Sequence, residues 1–172
     1  MEDVFPEASF ESFVRSEYRS VRALVVALHG FRDPDDVVQE AFLRAQKHWP
    51  QLAGRERPEL WVRRVALNLA VSRFRRWGTE SRALVRLAAR RETKVVVLSA
   101  GSAEVWEHVR RLPARQAQAV ALRYLDDLSI GDIAVVLGVA EGTVRALLHQ
   151  GRARLARSLA PGVEPSVEEE LW

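Results

Sequence analysis

The sequence predicts an all-α chain of two small helical domains joined by a flexible linker, the second with a helix-turn-helix. Apolar residues recur at three- and four-residue spacing through most of 10–77 and again through about 103–160, the period of amphipathic helices. No alternation of strands and helices precedes the second stretch. Ser129–Leu155 then reads as two short helices around a tight turn, ending in arginines.

The first domain spans residues 8–77. Its first helix, about Ser9 to Leu28, sets Phe10, Phe13, Val14, Val21, Leu24, Val25 and Leu28 on one side. Breaks at His29-Gly30 and Asp33-Pro34 separate it from a second helix, which takes Pro34 at its first position, where the missing N–H is harmless. Asp35 and Asp36 fall in the first turn, where the helix dipole favours anions, and Val37, Val38, Ala41, Phe42 and Ala45 point inward. A loop follows around Pro50 to Pro58. The third helix runs from about Pro58 to Trp77, with Leu60, Trp61, Val65, Leu67, Leu69, Val71 and Phe74 in its apolar positions. Arg63, Arg64, Arg73, Arg75 and Arg76 form its outer face, and Gly78-Thr79 ends it.

Residues 78–104 read as the linker: an arginine-rich helical piece, then KVVVLSAGSAE. Val95 to Leu98 within it is a short strand or a docking segment, and periodicity does not choose. The second domain spans 105–160. Pro113 opens a helix with Val120, Ala121, Tyr124 and Leu125 on its apolar side, and Asp126-Asp127 makes the next turn. Ser129 and Asp132 form a capping box, Ile130, Ile133, Ala134 and Leu137 one apolar face, and Gly138 supplies a left-handed stop. Val144, Leu147, Leu148, Gly151 and Leu155 are the buried side of the last helix. Thr143, Arg145, Ala146, His149, Gln150, Arg152 and Arg154 then face outward, with Arg145, His149 and Arg152 on one line. The tail 161–172, with two prolines and four glutamates, reads as disordered.

The chain has 172 residues, no cysteine and a formal net charge of +3. Absent cysteine excludes disulfide staples and cysteine metal sites and suits a reducing, cytoplasmic setting. No apolar run reaches membrane-spanning length, and an acidic N-terminus stands where a secretory signal would be basic, so neither membrane insertion nor export is expected. Charge is uneven, at +2 for 1–77, +2 for 78–104, +3 for 105–160 and −4 for 161–172. Apart from Lys47 and Lys94 every basic residue among the Lys and Arg is arginine, which suits bidentate contacts to phosphate and guanine and equally follows from a GC-rich genome.

Three segments, in this order, resemble the extracytoplasmic-function (ECF, group IV) sigma factors of bacterial RNA polymerase, within the sigma-70 family. DPDDVVQEAFLRAQKHW at 33–49 looks like the polymerase-binding helix, and ELWVRRVALNLAVSRFRR at 59–76 like the promoter-opening helix. LPARQAQAVALRYLDDLSIGDIAVVLGVAEGTVRALLHQGRARL at 112–155 resembles the reader of the upstream element. The resemblance covers about residues 8–158 and implies a promoter-specificity subunit: partners are core polymerase and promoter DNA, and often a masking anti-sigma factor, with no cofactor.

By this resemblance Asp35, Asp36, Gln39 and Glu40 meet the polymerase clamp, where a carboxylate-rich face pairs with arginines. The same acids also cap a helix; a Mg²⁺ site would need a second acidic cluster facing them. Asn68, with Arg63, Arg64, Arg73, Arg75 and Arg76, handles the minus-ten element. The loop His48 to Arg57, with Trp49 near its start, lies where the family captures a flipped base. Trp61 is expected in the core. Thr143, Arg145, Ala146, His149 and Arg152, supported by Arg123, read the minus-thirty-five element.

The sequence departs from the family at Ala140, where a serine N-cap is usual, and at Ala146, Leu147 and Gln150, which replace Ser, Arg and Arg. Two other functions compete. A free-standing helix-turn-helix regulator would need a further apolar dimer helix, and the acidic tail does not supply one. An enzyme is disfavoured because His29, His48, His108 and His149 lack metal spacing and no glycine-rich phosphate loop follows a strand. The acidic tail either masks the basic faces in cis or is solvated and idle.

Overall fold

The computed structural model describes residues 7–29, 34–80 and 100–159, and these form eight helices and no strand. They are α1 (Glu7–His29), α2 (Pro34–Lys47), α3 (Trp49–Leu52), α4 (Pro58–Glu80), α5 (Ala100–Arg110), α6 (Ala114–Tyr124), α7 (Ile130–Leu137) and α8 (Glu141–Leu159). The all-α expectation holds.

α2 carries Asp35 and Asp36 in its first turn and Arg44 and Lys47 in its last, complementing the helix dipole at both ends. Its buried residues Val37, Val38, Ala41, Phe42 and Ala45 meet Val21 and Val25 of α1 and Val62, Ala66 and Ala70 of α4. Those last three, small side chains at four-residue spacing, form the stripe by which α4 packs on α2. Trp61, Val65 and Leu69 only flank that core, partly buried.

Three boundaries differ from expectation, the first being that α5 begins at Ala100, inside the stretch 78–104 read as linker. α4 continues through Gly78 and Thr79 to Glu80, because one glycine in a helix costs only about 1 kcal/mol and does not by itself stop it. The expected loop after His48 contains a helical turn, α3, with Pro50 in its first turn. Val95 to Leu98, the arginine-rich linker piece and the acidic tail lie outside the described residues.

The two halves are not held apart. A second core joins Leu24, Ala27 and Leu28 of α1 and Leu60 and Leu67 of α4 to Trp106, Val109, Ala117, Val120, Leu122, Ile133, Val136, Leu137, Val144 and Leu148 from the C-terminal helices. The reason is visible in the spacing: Leu60 and Leu67, seven residues apart, form a second apolar stripe on α4, turned away from the α2 side. Burying it needs another surface, which α7 supplies.

In the helix-turn-helix, the Ser129 hydroxyl accepts from the Asp132 backbone N–H at 3.1 Å and starts α7. Gly138, at φ 66° and ψ 42°, ends α7 in the left-handed conformation expected of it. α8 begins at Glu141 without a side-chain cap from Ala140, whose carbonyl accepts from Thr143 and Val144.

Candidate nucleic-acid and partner interfaces

The outward line of α8 forms one wall of an open groove of about 640 Å³. Arg123 and Tyr124 of α6, Ser129 and Ile130 at the start of α7, and Arg145, His149 and Arg152 of α8 line it. Arg123, Arg145, His149 and Arg152 were expected together and are brought together, all exposed. Thr143 and Ala146 are exposed on the same helix outside the lining. Tyr124, expected on the apolar side of α6, is instead 58% exposed. It shares the face of buried Val120 and Ala121 but is the last residue of α6, one turn beyond them, where it lines the groove instead of packing in the core. Arg123 is braced by donating to the Leu128 carbonyl at 3.1 Å. Arg145 makes an exposed i,i+4 pair with Glu141 at 3.0 Å, a contact worth little and easily exchanged for phosphate.

On α4 the placements diverge. Asn68 and Arg64 are exposed, one turn apart. Arg63, expected on the outer face, is only 5% exposed and lies between the two halves. It grips both carboxylate oxygens of Asp126, Nη2 at 2.9 Å from Oδ1 and Nε on Oδ2. Its Nη1 donates to Glu17 at 2.8 Å and to the Glu59 carbonyl at 3.2 Å. Burial alone would lower the Arg63 pKa, but the Asp126 and Glu17 carboxylates outweigh it and hold the guanidinium charged. Sequence reasoning assigned Arg63 outward by its charge; an arginine at that place goes inward when carboxylates wait for it. The helix period alone gave the signal, since Arg63 lies between Leu60 and Leu67 on the stripe.

Arg73 pairs with Asp36 at 3.4 Å, tying α4 to α2. The side chains of Arg75 and Arg76, like those of Phe74 and Trp77, lie outside the described residues. Trp49 is not displayed in a loop: it is partly buried, its ring centroid 5.1 Å from Phe10 and 5.0 Å from Phe13. Its buried Nε1–H has no protein partner. Trp61, partly buried, stands 5.7 Å from the His48 ring.

The acidic face of α2 divides. Asp35 accepts from Tyr18 at 2.9 Å and from Arg22 Nε at 2.7 Å. The Arg22 hydrogen bond outweighs partial burial and, with Tyr18, holds the Asp35 pKa below the ordinary carboxylate value. Asp36 and Gln39 are exposed, and Glu40 pairs with Arg44 at 2.8 Å. Beside them Leu43 is 54% exposed, three residues after Glu40 and seven after Asp36. Leu43 is apolar yet faces outward, because it is offset by one residue from buried Phe42 and so lies on the other side of the helix. Among the described residues no cluster of acids and histidines is placed to hold a metal ion, and no helix is long and apolar enough to cross a membrane.

Two family models match the chain: Sigma-70 region 2 over residues 13–79 and Sigma-70 region 4 over residues 102–155. In sequence the chain is 30% identical over 159 residues to the ECF RNA polymerase sigma factor SigM of Mycobacterium tuberculosis, covering 88% of this chain and 77% of that one. The chain belongs to the ECF sigma factors. It is likewise 27% identical over 147 residues to the ECF RNA polymerase sigma factor SigW of Bacillus subtilis, covering 77% of this chain and 78% of its relative. Among solved structures, the sigma factor RpoE in complex with the anti-sigma factor NepR from Bartonella quintana shares the fold, with a TM-score of 0.70 at 20% identity over 88% of this chain and 96% of that one. CnrH in complex with the cytosolic domain of CnrY gives the same TM-score of 0.70 at 20% identity, over 92% of each chain. This ECF sigma factor therefore serves RNA polymerase in transcription initiation, the region 2 match falling within α1–α4 and the region 4 match within α5–α8.

Proposed function

We propose that this group IV sigma factor works in the cytoplasm and performs no covalent chemistry itself. It binds core polymerase through Asp36, Gln39, Glu40 and Leu43 on α2, with Asp35 holding that helix to α1. Region 2 engages and melts the minus-ten element through Asn68, Arg64, Arg73, Arg75 and Arg76, with Arg63 and Trp49 joining once released from their packing. Region 4 reads the minus-thirty-five element through Thr143, Arg145, Ala146, His149 and Arg152, backed by Arg123.

The observation that carries this reading is the groove where four basic side chains from α6 and α8 converge on the face of a helix wide enough for a major groove. Of the solved structures named above, the sigma factor RpoE is held by the anti-sigma factor NepR, and CnrH is held by the cytosolic domain of CnrY; an inhibitor of the NepR kind is the natural third partner of this chain.

The test is transcription in vitro from a library of promoter fragments, with core polymerase alone and with the protein added. Start sites that need the protein and share two spaced upstream motifs are expected. A chain that binds DNA as a dimer and leaves core polymerase unaffected overturns the proposal in favour of a free-standing regulator.

A further inference from the structure

The closed packing of the two regions conflicts with the task of engaging two promoter elements. Elements named for positions ten and thirty-five lie about 25 base pairs apart, roughly 85 Å of duplex at about 3.4 Å per base pair. Helical bodies of the size of region 2 and region 4 are each about 28 Å across, so two in contact span at most about 60 Å. The described arrangement must open for both elements to be held at once.

What closes it is specific. Arg63 reaches from α4 into region 4, and its partner Asp126 is as buried as the arginine, each side chain 6% exposed. The turn that presents Asp126 is fixed by Asp127 in the left-handed conformation at φ 50° and by the Leu128 N–H bonding back to the Leu122 carbonyl at 3.0 Å. Around this clasp stand two weaker ties, Arg57 to Asp132 at 2.9 Å and Arg110 to the Ala27 carbonyl at 3.1 Å. Leu60 and Leu67 lie beneath. Opening would expose that apolar stripe and strip Arg63 of the Asp126 carboxylate, leaving Nε and Nη2 free to grip a phosphate while Nη1 stays on Glu17 of α1.

We propose that Arg63 is a shared residue: in the free sigma factor it clasps Asp126 and holds region 4 shut on region 2, and promoter DNA takes the place of the Asp126 carboxylate when the chain opens. The promoter half of this rests on the assignment of α4 to the minus-ten element; the clasp does not. A buried guanidinium held bidentately by one carboxylate presents the geometry with which it would hold one phosphate, so a single fork serves two exclusive states. The clasp sets the fraction of chains competent for promoter binding, and apparent affinity scales with that fraction.

The absence of native cysteine allows a direct measurement. Dyes on Glu11→Cys of α1 and Ala156→Cys of α8, both exposed positions, report the distance between regions by energy transfer in the full chain. High transfer is expected in the free protein, with a fall when core polymerase and promoter are added. Asp126→Asn should lower transfer without partners and tighten binding to a two-element promoter fragment, by about tenfold if the closed fraction is about nine-tenths. Asp126→Glu should stay closed. If Asp126→Asn loses its helical circular-dichroism signal, Arg57→Gln, at an exposed pair, should give a smaller fall in the same direction. Low transfer in the free native chain, or unchanged transfer in a folded Asp126→Asn, overturns the clasp. Opening without any gain in promoter affinity overturns the competition between Asp126 and DNA. Polymerase binding and transcription by the native chain are read separately, so failure of the sigma-factor assignments is distinguishable from either.

Discussion

Where α8 crosses α6, Gly151 rests directly on Val120: a Cβ added to Gly151 would lie 2.9 Å from Val120 Cγ2 and 3.7 Å from Gln116 Cβ. Valine is stiff at χ1, so it cannot swing aside cheaply. Alanine is the better helix former by about 1 kcal/mol, but overpacking costs about 1–3 kcal/mol, and the second effect wins. Gly151→Ala should lower the unfolding free energy by up to about 2 kcal/mol, read from the urea midpoint. Adding Val120→Ala should recover part of that loss, giving a coupling of at least about 0.5 kcal/mol between the two positions.

The caps of the helix-turn-helix are unequal. Ser129→Ala removes the hydroxyl that accepts the Asp132 N–H and should cost about 0.5–2 kcal/mol. Ala140 occupies the equivalent place before α8 and is exposed, with room for a hydroxyl. Ala140→Ser should therefore stabilise by a comparable amount. Thermal unfolding of the two variants beside the native chain measures both signs at once.

Acid should loosen the junction of α1 and α2. The Asp35 pKa is depressed, so its contribution is full above the unfolded carboxylate value of about 3.9 and is lost as pH falls through the folded value. Urea midpoints of the native chain should drop steeply below about pH 4. Asp35→Asn should be less stable than native at neutral pH and converge on it in acid; parallel curves would show that the Arg22 and Tyr18 contacts contribute nothing.

These contacts mark where sequence ran out. Helix period placed Val37, Phe42, Ile133, Val144 and Leu148 correctly, because each satisfies one local face and nothing else decides it. Ser129 and Gly138 were legible for the same reason: capping is a property of three or four neighbouring residues. Arg63, Asp126 and Glu17 were not, since their meeting depends on residues 46 and 63 positions apart. A charge pattern predicts exposure by default and is overturned only by a partner that local sequence does not contain. Trp49 illustrates the converse: its place among Phe10 and Phe13 follows from the α1 face folding back over α3.

Leu43 offers a clean probe of the polymerase face. Being 54% exposed and outside both cores, it should tolerate replacement with little change in stability. Leu43→Arg nonetheless sets a cation on a surface proposed to meet arginines, and removes the apolar contact at its centre. Affinity for core polymerase should fall at least about tenfold, with the urea midpoint unchanged. Native-like affinity would remove α2 from the interface.

The groove of region 4 separates base contacts from phosphate contacts by their response to salt. Arg145 lies in the first turns of α8, the end that reaches base edges, whereas Arg152 lies two turns further on. Arg145→Ala should cost about 1–3 kcal/mol on the preferred minus-thirty-five sequence and much less on a scrambled one, leaving the salt slope nearly unchanged. Arg152→Ala should weaken both sequences alike and reduce the slope of log K against log salt by about 0.9. Region 4 binding to short duplexes at several salt concentrations distinguishes the two. Equal losses and equal slopes for both variants would mean that α8 does not enter the groove end-on. The exposed Glu141 at 3.0 Å from Arg145 adds an internal control: Glu141→Gln should raise affinity slightly for the preferred sequence, since a surface ion pair of at most about 1 kcal/mol no longer competes for the guanidinium.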